Sequence, residues 1–301
     1  MLPIAFLVAA QAPLPPTVVI APGVSMPRIN LGTCCGSDAT NSFPSWYAAG
    51  GRGVDTAFDY GKEVPGGKET ELAAAIKKAG AARDSLFITS KVRAGLDPLH
   101  LGPLCVGLDA AYALNAVKAD LAELQVDRLD LVLLHAPCKS DATNAKLWAG
   151  MEQALAQNLT RSIGVSNFDK DQLTALLKTA NVTPAVNQCQ MSMANQEQEM
   201  LDFCKQHGIV FEAYAAMRGC PFHNADVQKI AASHSVSVSQ VCLRWVLQKG
   251  AAMAVGLGAN ATQMPTYATE DLHIYNFSLS DAEMTTLSGT GKQIKSCQQG
   301  Y

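Results

Sequence analysis

Residues 53–63 read GVDTAFDYGKE, an apolar run that ends on Asp55 and carries Tyr60 five positions later. A carboxylate and a phenol leaving a strand end together can hold and release a proton; the plainer reading is a turn with a surface tyrosine. Polar side chains also close other apolar runs. Lys91 does so in ITSKV, His135 in LLHAP, Ser166 and Asn167 in IGVSNF, Gln188 in AVNQ and Tyr214 in FEAYA. Singly, a lysine at a strand end snorkels to solvent, and a histidine is an ordinary satisfied polar group. Gathered at one rim, an acid, a phenol, an ammonium and an imidazole could transfer protons.

Such a rim needs elements that bring the strand ends together. Short apolar runs alternate with helical patterns between residues 29 and 272. The strand candidates are Ile29–Thr33, Val54–Ala57, Leu86–Val92, Leu129–His135, Ser162–Ser166, Ala185–Gln188, Ile209–Tyr214 and Met253–Leu257. Several are nearly continuous in apolar residues, as a parallel sheet covered on both faces requires. Helical stripes lie between them, among them Leu72, Ala75, Ile76 and Ala79; Leu114, Val117, Leu121 and Leu124; and Leu173, Leu176 and Leu177. Capping-box spacing marks helix starts at Asp169, Ser237 and Ser280, and Gly208 suits a helix end. Eight strands each followed by helical sequence predict a closed (β/α)8 TIM barrel, α/β in class, with its chemistry at the carboxyl ends of the strands. TVVIAPGVSMP, ahead of the first strand, predicts a β-hairpin that plugs the barrel floor. With no repeat, linker or composition shift, one domain spanning 1–301 is expected, residues 1–15 forming an apolar N-terminal segment.

The bulk numbers agree with a globular enzyme: 301 residues, 48% hydrophobic and 16% charged. A net charge of −3 without a Lys/Arg cluster argues against nucleic acid, and no apolar run is long enough to span a bilayer. Nine scattered cysteines without C-x-x-C spacing predict neither a zinc site nor a disulfide framework. Cys34-Cys35 and the spacing from His135 to Cys138 read as incidental, and free thiols point to the cytoplasm. Against that stand a short apolar start ending in an Ala10-Gln11-Ala12 cleavage-like site and N-x-S/T matches at Asn158, Asn181, Asn260 and Asn276, which leave a secretory route open.

GVDTAFDYG, FITSKV, DLVLLHAP, SIGVSNF, AVNQ and EAY, in this order over about residues 16–270, resemble the signature blocks of the aldo-keto reductases. The resemblance implies reduction of small-molecule aldehydes or ketones by hydride from a nicotinamide dinucleotide. Asp55, Tyr60, Lys91 and His135 are similar to the family's catalytic tetrad, with Tyr60 as general acid. It implies that Ser166, Asn167 and Gln188 hold the nicotinamide carboxamide, that Tyr214 stacks on the ring, and that Thr33 adds a cofactor contact. The family's adenosine-phosphate block departs: AVGLGANATQMPTYA has Leu257 and Gly258 where Lys and Ser are usual, and Gln263 where Arg is usual. Neutral contacts do not replace Arg–phosphate pairs. Gly256, Gly258 and Asn260 are then the candidate phosphate-side contacts, through a turn that matches G-x-G-x-x-A at Gly256, Gly258 and Ala261. NADPH is expected by family habit, with NADH open because those charges are missing. Cys34 stands where Trp is usual and Ala215-Ala216 where Ser-Pro is usual; Arg218 is a candidate pyrophosphate contact. Phe58, Met191 and Trp46 are candidate pocket walls, and the loop APCKSDATNA after His135 is short.

Lys91 about 4 Å from Tyr60 would favour the phenolate by about 4 kcal/mol at an effective dielectric near 20, about three pKa units as an upper bound. Asp55 and desolvation oppose this. Alternatives are a cofactor-binding regulatory or scaffold protein on the same barrel, supported by the altered adenosine block, and a hydrolase, disfavoured because GVSNF lacks the second glycine of a nucleophile elbow. A monomer is expected.

Overall fold

Parallel pairing turns the expected apolar runs into eight strands that close on themselves. The structure is a computed structural model that describes residues 14–35, 37–60, 67–93, 105–293 and 297; the N-terminal apolar segment up to residue 13 lies outside them. A hairpin, β1 (Thr17–Ala21) and β2 (Val24–Pro27), precedes β3 (Ile29–Gly32), α1 (Ala39–Ala48), β4 (Gly53–Asp55), α2 (Gly67–Lys78), β5 (Phe87–Val92) and α3 (Ala110–Leu124). Next come β6 (Leu131–Leu134), α4 (Asp141–Ala156), β7 (Ile163–Ser166), α5 (Lys170–Leu177), β8 (Val186–Gln190), the short β9 (Asn195–Gln196) and α6 (Gln198–Gln206). The chain continues through β10 (Val210–Tyr214), α7 (Ala225–His234), α8 (Val238–Gln248), β11 (Ala252–Val255), α9 (Met264–Leu272), α10 (Asp281–Ser288) and β12 (Lys292–Gln293). The barrel runs β3-β4-β5-β6-β7-β8-β10-β11 and back to β3.

Covered on both faces, the strands are buried along their length; β6, LVLL, is buried at every position. The hairpin folds under the barrel. Its Ile20, Val24 and Met26 pack on Phe87, Leu131, Val186 and Ala252, the first residues of four strands, and so seal the floor. All three capping boxes form, at Asp169 with Gln172, Ser237 with Gln240 and Ser280 with Glu283. Gly208 takes φ +69° just beyond α6, a left-handed turn that lets the chain enter β10. The stretch expected as a loop after His135 is shorter still, because Ser140 caps α4 and residues 141–145 are already helical.

The cysteines overturn a sequence expectation. Disulfides join Cys34 to Cys35, Cys105 to Cys138, Cys189 to Cys297 and Cys220 to Cys242, leaving Cys204 as the buried free thiol. Three of these pairs are 22 to 108 residues apart in the chain and meet only in the folded protein. Local spacing carried no sign of that.

Where α2 and α3 pack on β5, two acids are buried. Glu69 accepts a hydrogen bond from Ser90, and Asp120 lies fully buried nearby. Burial pushes the Glu69 carboxyl up to about 8, and burial followed by Glu69 pushes Asp120 up as well. The folded state therefore binds the Glu69 proton more tightly than the unfolded chain, whose ordinary value is 4.5. Its contribution is fully present below 4.5 and is lost as pH rises through about 8. Glu69→Gln, neutral throughout, is expected to flatten the fall of Tm between about pH 5 and 8. A fall as steep as in the unsubstituted protein would contradict this origin.

Candidate active site

Lys91 organises the rim. It sits on β5 with no solvent exposure, and its three donors have three acceptors. Nζ lies 2.6 Å from Asp55 Oδ1 at the end of β4, 3.0 Å from the Thr56 carbonyl and 3.0 Å from Tyr60 Oη. β4 and β5 are adjacent and in register, Asp55 opposite Thr89, so ion pairing across neighbouring strands follows from the fold. A turn closed by Tyr60 N–H to the Ala57 carbonyl then brings the phenol back over the ammonium. His135, just past β6, meets the Tyr60 ring edge-on, with centroids 5.5 Å apart. The four residues expected to work together do stand together.

Behind them runs a buried polar chain. Gln188 Nε2 donates to Asp55 Oδ2 and to Glu212 Oε2, both at 2.8 Å, while Asn30 Nδ2 donates to Glu212 Oε1 at 2.7 Å. Burial, then the Asp55 charge, pushes Glu212 up to about 7. Both amide hydrogens of Gln188 are thus engaged within the barrel. Its carbonyl oxygen is the atom left to meet a ligand, a narrower role than the sequence suggested.

Ser166 and Asn167 follow β7. Ser166 Oγ donates to the main-chain carbonyl of Gln188 at 2.9 Å, and Asn167 Nδ2 donates to the main-chain carbonyl of His135 at 2.9 Å and to Ser166 Oγ at 3.0 Å. Tyr214, at the end of β10, donates its hydroxyl to Asn167 Oδ1 at 2.8 Å. Thr33 binds the end of β3 to β4, through Oγ1 at 3.2 Å and its own N–H at 3.0 Å to the Asp55 carbonyl. Gly256, Gly258 and Asn260 occupy the loop after β11 and are exposed. Pairing of Val255 with Leu31 sets this loop beside the end of β3, on the same rim. Gly258 has φ +70°, which favours glycine, and Asn260 Oδ1 accepts from Thr262 N–H. α9 then opens without a side-chain cap from Gln263; the Met264 N–H bonds the Asn260 carbonyl, and Pro265 has no N–H to offer. An exposed glycine turn suits a phosphate bound by backbone N–H groups of the turn itself. Hydroxyls, amides and a partly open tyrosine ring at Ser166, Asn167 and Tyr214 suit a neutral carboxamide ring. The residues therefore fit a nicotinamide dinucleotide, with no cation at the 2′-phosphate positions of the motif.

The electrostatics depart from the sequence expectation at Tyr60. Its phenol is held well above 10 by burial, then by the charges of Asp55 and Asp59. Burial and the second carboxylate, Asp59, set the direction. Two candidate walls also move into the core. Trp46 is fully buried and donates to the Gly53 carbonyl at 2.9 Å, and Met191 is fully buried in the core; Phe58 stays partly exposed beside Tyr60. Arg218 is exposed after β10, and its charge acts on Tyr214.

Sequence reading missed two acids. Glu212 was hidden within an apolar strand. Asp59 accepts at 2.8 Å from His135 Nδ1, and both side chains are only 7% exposed. Its one visible sign was a position beside Tyr60 in the quoted stretch. Cys138, three residues past His135, is tied to Cys105, so the loops after β5 and β6 are covalently joined beside this pair.

The Aldo/keto reductase family model matches residues 38–291. Glyoxal reductase of Bacillus subtilis is 34% identical over 92% of this chain and 93% of its own. Morphine 6-dehydrogenase of Pseudomonas putida is 30% identical over 93% of each. Among solved structures, an aldo/keto reductase from Brucella melitensis superposes with a TM-score of 0.78 at 28% identity, over 91% of this chain and 98% of that one. An aldo-keto reductase of the silkworm Bombyx mori gives 0.79 at 26% identity, over 92% and 88%.

Removing the ammonium leaves Asp55 as a buried, uncompensated charge. Lys91→Met is expected to cost about 3–5 kcal/mol in urea unfolding, with part of it recovered in the Lys91→Met, Asp55→Asn double variant. A loss below about 1 kcal/mol would contradict the burial of this pair.

Proposed function

Because this chain belongs to the aldo/keto reductase family, and so is an oxidoreductase acting on carbonyl or alcohol groups with NAD(P), we propose that it works as a carbonyl reductase whose proton comes from Tyr60. The observation that carries this is the reach of one ammonium, Lys91, to both Asp55 and Tyr60. A dihydronicotinamide, when bound, supplies the hydride. Ser166, Asn167 and the Gln188 oxygen would orient its carboxamide, Tyr214 would cover its ring, and the Gly256–Asn260 turn would take its phosphates. Tyr60 Oη then faces the carbonyl oxygen and gives it a proton as negative charge builds there. Asp55 holds Lys91, and Lys91 holds the phenol in place. Burial of this group keeps bulk water from competing.

The neutral turn supports weak discrimination between NADPH and NADH, because no cation of the usual block remains to grip a 2′-phosphate. It also supports a second reading, a barrel that binds the cofactor without turning over. Eight paired cysteines support an oxidising compartment rather than the cytoplasm expected from free thiols. Among the described residues no helix is long and apolar enough to cross a membrane. We read the protein as a monomer.

Tyr60→Phe is expected to lower reduction of a reactive aromatic aldehyde by at least about 10²-fold, with the fluorescence-titrated Kd for NADPH unchanged. Near-normal turnover would end the general-acid assignment. Titration of the unsubstituted protein is expected to give Kd values for NADPH and NADH within about tenfold of each other, about 1.4 kcal/mol. A preference for NADPH of about 10³-fold would mean that other cations grip the 2′-phosphate. Binding of both without reduction of any carbonyl in a panel would favour the second reading.

A further inference from the structure

Glu212 lies inside the barrel on β10, fully buried, and takes no part in the proton transfer described above. The sheet sets its neighbour. β8 and β10 pair in parallel with Glu212 opposite Gln188, so the two residues stand at one level of the barrel. The two Glu212 oxygens accept from two different amides, Oε2 from Gln188 Nε2 at 2.8 Å and Oε1 from Asn30 Nδ2 at 2.7 Å. Gln188 Nε2 also donates at 2.8 Å to Asp55 Oδ2, the carboxylate whose other oxygen holds Lys91.

A glutamine amide has two ends, an NH2 that only donates and an oxygen that only accepts. They are close in size, so the groups around them decide which end meets a ligand. Here each hydrogen of Gln188 lies on a carboxylate. A half-turn of the amide would set its oxygen against Asp55 and Glu212 and strand both hydrogens, at the cost of two buried hydrogen bonds. Asp55 secures one hydrogen. Glu212 secures the second and closes the alternative. The Gln188 oxygen is therefore directed away from both acids. Ser166 stands opposite Gln188 on the other neighbouring strand, β7, at the same level.

Resting on the nicotinamide reading above, we propose that Glu212 is a positioning residue: it takes the second hydrogen of the Gln188 amide, so that the Gln188 oxygen meets the cofactor and selects a carboxamide with an N–H to donate. Asn30 holds the Glu212 carboxyl from its other oxygen. Burial, then the Asp55 charge, pushes this carboxyl up to about 7, and the hydrogen bonds from Gln188 and Asn30 pull against that rise.

The test needs binding, not turnover. Kd values are read by protein fluorescence at about pH 8, where Glu212 is ionised. The ligands are NADPH and its reduced 3-acetylpyridine analogue, in which a methyl replaces the carboxamide NH2. The unsubstituted protein is expected to bind the analogue at least about tenfold more weakly than NADPH. Glu212→Met fills the space without an acceptor and frees an N–H for the carbonyl oxygen that both ligands carry. It should bring the two Kd values within about threefold of each other, mainly by weakening NADPH. Gln188→Leu should also lose the discrimination, and adding Glu212→Met to it should change the ratio no further. Glu212→Gln should keep most of it. Its one oxygen serves Gln188, and the Asn30 amide, whose Oδ1 has no partner, turns to accept from the new NH2.

Equal weakening of both ligands in Glu212→Met would leave Glu212 a structural residue and overturn the proposal. So would unchanged discrimination in that variant, or equal affinity of the unsubstituted protein for both ligands. Nitrogen-15 NMR of the Gln188 side chain, assigned with Gln188→Leu, gives a reading without cofactor. Both amide hydrogens are expected to be protected from exchange, and one should lose protection in Glu212→Met. Two unprotected hydrogens in the unsubstituted protein would also overturn it. If NADPH binds but no carbonyl is reduced, the reductase reading fails and the Kd comparison stands. If neither dinucleotide binds, the nicotinamide reading fails, and the amide signal still decides what Glu212 does to Gln188.

Discussion

One ammonium without solvent underlies the rim. A buried lysine persists only if every donor finds an acceptor and its charge finds a partner. Lys91 satisfies both, using Asp55, the Thr56 carbonyl and the Tyr60 hydroxyl. Those acceptors come from β4 and the turn after it, so the position of Tyr60 is a consequence of neutralising Lys91. Asp55 in turn is steadied by Gln188, and Gln188 by Glu212, which carries the constraint across the barrel from β4 to β10. Closing the sheet is what makes this chain of contacts possible.

The same burial decides the acidity of the site. Lys91 draws the phenol toward ionisation, but water is absent and two carboxylates stand close, so the balance tips toward the protonated form. Tyr60 is then a reliable holder of its proton and a reluctant giver. A reluctant donor raises the value of groups that stabilise the oxygen receiving that proton and of holding the reactants in place.

Much of this was legible in the chain. The eight strands announced themselves as apolar runs, and the three capping boxes formed where their spacing placed them; strand ends moved by no more than two residues, because pairing, not composition, sets where a ladder stops. The tetrad was legible because its members stand at, or within a turn of, strand ends on one rim. What escaped needed the third dimension. Cys189 and Cys297 give no local hint of each other across 108 residues. Asp59 has the sequence signature of an ordinary turn residue, and only the arrival of His135 from β6 gives it a task. Trp46 looked like a wall because an aromatic near a functional stretch can be one, whereas α1 turns it into the core. The direction of the Tyr60 shift has a related cause: the sequence names Lys91 with Asp55 and desolvation against it, and only the fold shows how complete the burial is and adds the charge of Asp59.

The Lys91 ammonium and the Tyr60 phenol are buried against each other with the proton still on the phenol. Ultraviolet titration of tyrosinate, taken as the difference between the unsubstituted protein and Tyr60→Phe, reads that proton directly. The account expects no ionisation of Tyr60 below its ordinary value of 10.0 while the protein stays folded. A tyrosine that ionises near neutrality, and is missing from Tyr60→Phe, would contradict it.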